Sequence, residues 1–195
     1  MERWADIITS CLVEKKIISK ESYEIYRYGM LTGLEMILCV TICSTIAIYL
    51  KLFLEFVLLI TIFFSLRAYV GGIHLRCFGL CLFWSCLIIT SLLLVAHIWM
   101  PDLCVAIIVT FITLLLINWL APMATKCSVS DSCEEIFFNR QRKRILAGIV
   151  GLDVVFIILE LKEYWSLIMY TMLVILISMI LGLRKRSENS KTTTF

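Results

Sequence analysis

Charge is scarce in this chain. Only 17% of its 195 residues are Asp, Glu, Lys or Arg, where a soluble domain carries about a quarter. With 61% of residues hydrophobic, that deficit excludes an ordinary soluble globular domain. Proline is almost missing: Pro101 and Pro122 are the two examples, and each closes a long apolar run. Histidine is equally rare, at His74 and His97. The nine cysteines are spread along the chain instead of clustering in loops, so no disulfide framework is expected. Cys127 and Cys133 fall in a polar loop with no histidine nearby, two ligands short of a zinc site. Free thiols are expected there, and neither a metal nor a cofactor. No cleavable signal peptide is expected either, because residues 1–28 are charged and amphipathic.

What fills the chain is apolar runs long enough to span a bilayer. Six spans are expected, at about 29–50, 52–68, 78–100, 103–121, 145–161 and 164–183. Trp4, Ile7, Ile8, Cys11 and Leu12 form the stripe of an amphipathic helix ahead of them. Such a helix lies flat on the membrane or packs as an ordinary helix. The reading is thus an all-α integral membrane protein with three parts. Residues 1–28 are an amphipathic interfacial segment, 29–183 a six-helix transmembrane domain, and 184–195 a basic, flexible tail. No internal repeat is visible.

Lysine and arginine orient the spans. With the N-terminus inside, all of the eighteen basic residues except Lys51 and Lys162 fall on the cytoplasmic side. An odd number of spans would separate the basic segment 123–144 from the basic tail. An N-in/C-in topology is therefore expected. The net charge of +3 then describes a cytoplasmic membrane face attracted to anionic lipid, not a nucleic-acid surface.

One stretch concentrates the reactive groups: Arg67, Gly71, Gly72, His74, Arg76, Cys77, Gly79 and Cys81, at the cytoplasmic edge of spans two and three. Ionisable groups at membrane depth are costly and mark function by default. A cysteine nucleophile needs a base, most often histidine. On one continuous helix His74 and Cys81 would lie about 10 Å apart along the axis, beyond the roughly 3 Å needed for proton transfer. The pair works only if the helix starts after His74 or a third span closes the gap. Gly71 and Gly72 permit the required backbone bend. Cys81 would then sit in an early helical turn, where the helix dipole favours a thiolate. Cys77 is a competing thiol. The spacing alone is weak, and a capping histidine beside a packing cysteine fits it too.

The pattern Arg67-x-x-x-Gly71-Gly72-x-His74-x-x-x-x-x-x-Cys81 resembles the signature of the AgrB family, accessory gene regulator B. Tyr28-Gly29, Gly33-Leu34-Glu35, Ala121-Pro122, the amphipathic N-terminus and the basic loop before span five are also similar to family features. The resemblance implies a membrane cysteine endopeptidase of the bacterial cell membrane with its active site on the cytoplasmic side. It would cut the C-terminal tail from an AgrD-type quorum-sensing propeptide through a thioester at Cys81, with His74 as base. The released product would be a thiolactone or lactone ring. The resemblance also implies a homodimer. Arg67 would bind an acidic substrate group, orient the loop, or only anchor the cytoplasmic face. Glu35, about 9 Å into span one, is placed to pair with Arg67 or His74. Backbone amides at Gly71, Gly72 and Ile73, or at the helix start, are candidate oxyanion donors. Asp153 is expected to pair within the bundle, and His97 to be interfacial. A peptide transporter without proteolysis and a non-enzymatic membrane scaffold are the rival readings.

Overall fold

The structure is a computed structural model that describes residues 2–14, 22–70, 78–125 and 132–192. Among these it is all helical: α1 (Glu2–Glu14), α2 (Tyr23–Tyr49), α3 (Phe53–Val70), α4 (Phe78–Ile98), α5 (Leu103–Thr125), α6 (Ser132–Ile158) and α7 (Lys162–Thr192). A chain segment in lipid must satisfy its own backbone hydrogen bonds, which a helix does internally. The few hydroxyls inside the apolar runs are satisfied the same way. Thr41, Thr45, Thr61, Thr113 and Thr171 each donate to the carbonyl four residues back, at 2.7–2.9 Å.

Four helices are long and apolar enough to cross a membrane: Tyr23–Tyr49, Gly79–Ile98, Leu103–Ala121 and Lys162–Arg184. α3 and α6 pack into the same bundle. The boundaries differ from the sequence reading mainly where helices carry charge. α2 begins six residues ahead of the expected span, α6 begins at Ser132 within the expected polar segment, and α7 runs to Thr192 across the expected flexible tail. Hydropathy marks where lipid ends, whereas helical hydrogen bonding continues into water over residues such as Glu134, Glu135, Arg140 and Gln141 that suit a helix.

Two turns close helices tightly. After α2, Lys51 takes φ 60°, with Lys51 N–H donating to Ile48 O and Leu52 N–H to Ala47 O. After α6, Glu160 takes φ 55°, with the same pair of bonds to Ile157 and Phe156. These are Schellman closures, which usually put glycine at the left-handed position. Both turn residues are charged, which keeps them in water.

α7 is the central helix. Half of its spanning window is buried in the bundle, against 17% for α2. Leu167, Ile168, Met172 and Met179 of α7 are fully enclosed with Leu59 and Leu66 of α3, Leu93 of α4 and Ile117 of α5. The outward faces invert the soluble pattern, with Ile108, Phe111, Leu115 and Trp119 of α5 all more than half exposed. A continuous apolar exterior of this kind suits lipid as the solvent.

Successive helices from α2 to α7 alternate in direction. At one end Ser166 Oγ donates to Ala96 O at 3.0 Å, Tyr170 OH donates to Trp99 O at 3.2 Å, and His97 Nδ1 lies 3.7 Å from Glu163. At the opposite end the rings of Tyr69 and Phe138 meet edge to face at 5.6 Å. α1 packs on α2 there, with Asp6 paired to Arg27. Its role as a packing helix is therefore visible.

Candidate functional site

The site lies at the end of the bundle shared by the start of α2, the end of α3 and the start of α4. Arg67 is in the last turn of α3. Cys81 is the fourth residue of α4 as described from Phe78. Gly71, Gly72 and His74 themselves lie outside the described residues. Cys81 is buried, at 7% exposure.

A cavity of about 240 Å³ opens between these helices, lined by Thr32, Glu35, Met36, Cys39, Phe63, Phe64, Arg67, Cys81, Ser85 and Ile89. It brings Glu35, Arg67 and Cys81, three of the residues singled out from the sequence, to one space. The Arg67 guanidinium sits over the Phe63 ring, 5.4 Å from its centroid. A cation held on an aromatic face is oriented without losing its charge. A second cavity of about 340 Å³ shares Phe63, Arg67, Cys81, Ser85 and Ile89, and continues along Trp84, Ser178 and Leu181 toward α7. Arg67 and Cys81 therefore stand in the wall between two compartments, one facing α2 and the other facing α7.

The sequence reading passed over Phe63, Ser85 and Thr32. A helical stripe could have found them. Phe63 and Arg67 are four apart, as are Cys81, Ser85 and Ile89, while Thr32, Glu35, Met36 and Cys39 recur at three or four. Arg142 belongs to the basic segment 123–144 read as part of the cytoplasmic face, yet its side chain is buried. It is 2% exposed, and its Nε and Nη1 have no hydrogen-bond partner among the described residues. Burial pushes its pKa below the ordinary arginine value. Asp153 departs from its reading. The expected partner within the bundle is not there: its Oδ1 is buried without a hydrogen bond among the described residues. It faces a groove of about 510 Å³ between α5 and α6, far larger than the cavity at Cys81 but lacking a thiol or imidazole. His97 is at the opposite end of α4 from Cys81, as expected of an interfacial residue.

Comparison with known families gives one decisive match. The model of accessory gene regulator B covers residues 4–183. The chain belongs to the AgrB family. Comparisons with curated proteins and with solved structures gave no match. Membership in AgrB places this multi-pass membrane protein in quorum sensing, in the processing of an AgrD-type propeptide. The AgrB match runs from within α1 through the spanning part of α7, so the cavity at Cys81 lies wholly inside the family's extent.

Proposed function

We propose that this AgrB-family protein is a cysteine endopeptidase that shortens its propeptide and leaves the product poised to cyclise. One observation carries the proposal: Cys81, in the first turn of α4, lines a cavity together with Arg67 and Glu35. Cys81 Sγ attacks the scissile carbonyl carbon while its proton passes to His74. The C–N bond then breaks as His74 returns that proton to the leaving amine. The acyl group stays on Cys81 as a thioester. A thiol or hydroxyl of the propeptide attacks this thioester, frees Cys81 and closes a thiolactone or lactone ring. A mostly apolar cavity favours that internal attack by limiting the water beside the thioester.

The remaining features fit the same reading. With α3 and α6 also crossing, there would be six spans, and Arg27, Arg67, Arg140, Arg144 and Arg184 would share one end of the bundle. The lysine and arginine bias makes that end cytoplasmic. Arg67, fixed on Phe63, is placed to attract a carboxylate of the substrate or of Glu35. The two compartments beside Cys81 would take the two sides of the scissile bond.

Reconstitution tests this against transport. Purified protein in sealed vesicles, given the propeptide on the cytoplasmic side, is expected to yield a shortened peptide and a free C-terminal tail, both read by mass spectrometry. Accumulation of intact propeptide in the lumen, with no tail released, would replace the peptidase by a transporter.

A further inference from the structure

Beside the peptidase cavity the fold gathers a second set of thiols. Cys39 and Cys43 are one turn apart on α2 and share a face. Cys86 reaches them from α4. The three Sγ atoms lie within 4.8 Å of one another, and Cys39 and Cys86 are 3.7 Å apart. Cys39 and Cys43 are buried, Cys86 is half-buried, and all three are free thiols. Small apolar packing explains each cysteine singly, but it does not require three sulfurs from two helices to converge on a point.

The donor set is informative. A metal–sulfur bond of about 2.3 Å puts three trigonal sulfurs about 4 Å apart, which the present spacing reaches through small side-chain rotations. Structural zinc takes four ligands, and among the described residues no histidine, carboxylate or fourth thiol joins these three. Soft sulfur donors alone select a soft ion, with monovalent copper foremost. Two thiolates and one neutral thiol around Cu(I) leave a net charge of −1, in a cavity whose wall at Cys39 carries one cation, Arg67, and one carboxylate, Glu35. Three thiolates around it would leave −2, more costly in an apolar interior. That cavity also gives the ion a route in.

We propose that Cys39, Cys43 and Cys86 form a binding site for monovalent copper within the helix bundle. Binding forms three Cu–S bonds and releases two thiol protons to water, with no change of oxidation state. The bound ion joins α2 to α4 five residues from Cys81, so its occupancy would stiffen one wall of the peptidase cavity. The site itself does not depend on the peptidase reading.

The test uses the full-length protein in nanodiscs, anaerobically, with Cu(I) as the probe and bicinchoninate as competitor. The wild type and a chain keeping only Cys39, Cys43 and Cys86, with the other six cysteines as serine, are expected to hold one Cu(I). X-ray absorption of that copper should show three sulfur neighbours at about 2.3 Å. The triple variant Cys39→Ser, Cys43→Ser and Cys86→Ser should release it to the competitor, with affinity lower by at least about tenfold. Copper held as tightly by the triple variant, or lost by the three-cysteine chain, overturns the site. Should the triple variant fail to insert, the wild type and the three-cysteine chain decide: fewer than three sulfur neighbours in both refutes it.

Discussion

Replacing Cys81 by alanine is expected to stop propeptide cleavage, with a fall in rate of at least about 10⁴-fold. The size follows from the covalent mechanism, in which loss of the nucleophile removes the intermediate itself. Such losses reach about 10⁶-fold in a serine protease of comparable logic. The substitution deletes a single sulfur from a buried position in the first turn of α4, so insertion should survive. Membranes carrying each variant with the propeptide give the measurement, as released tail per unit time against the amount of inserted protein. Cys77→Ala is the paired control and should keep cleaving. Cys81→Ala with full cleavage, or Cys77→Ala without it, would move the nucleophile to Cys77.

His74→Ala should lower the rate by about 10²–10⁴-fold, the usual contribution of a general base. The loss is smaller than for Cys81 because a free thiol is a few per cent thiolate at neutral pH, so the nucleophile persists without its base. The pH response separates the two variants. Without His74 the thiol proton must pass to solvent, and the residual rate should rise with pH as hydroxide takes the place of the base. Cys81→Ala should stay inactive across the same range. If His74→Ala cleaves as fast as the wild type at neutral pH, His74 is not the base.

The helices were legible because lipid imposes a coarse rule on sequence. Runs of about twenty apolar residues, Pro101 and Pro122 at run ends and Lys51 at a break marked the four helices long and apolar enough to cross a membrane, with the start of the first off by six residues. Helix ends in water were not legible. Nothing in hydropathy distinguishes the helical Ser132–Arg144 or the helix beyond Arg184 from loop, because charge there reports solvent and not backbone shape. For the site, the glycine pair and His74 lie outside the described residues, so the expected bend ahead of Cys81 stays an expectation. The meeting of Glu35, Arg67 and Cys81 in one cavity was legible only as a possibility, since it depends on how α2, α3 and α4 pack. The three-thiol cluster was invisible for the same reason. Cys39 and Cys86 are 47 positions apart, and no spacing rule reaches across two helices. Asp153 and Arg142 show the converse. A buried charge invites the inference of a partner, yet each keeps buried polar atoms without a hydrogen bond among the described residues.

The account rests on position 74 lying beside Cys81 at the same end of the bundle. The direct measurement is disulfide formation in a chain where Cys81 is the sole native cysteine and one new cysteine is introduced. A disulfide requires Cα atoms within about 7 Å. The His74→Cys chain should cross-link to Cys81 rapidly under mild oxidation, whereas the His97→Cys chain, about 24 Å further along α4 by helical rise, should not. An His74→Cys chain that remains reduced while inserted in the membrane would contradict the pairing of imidazole and thiol on which the chemistry depends.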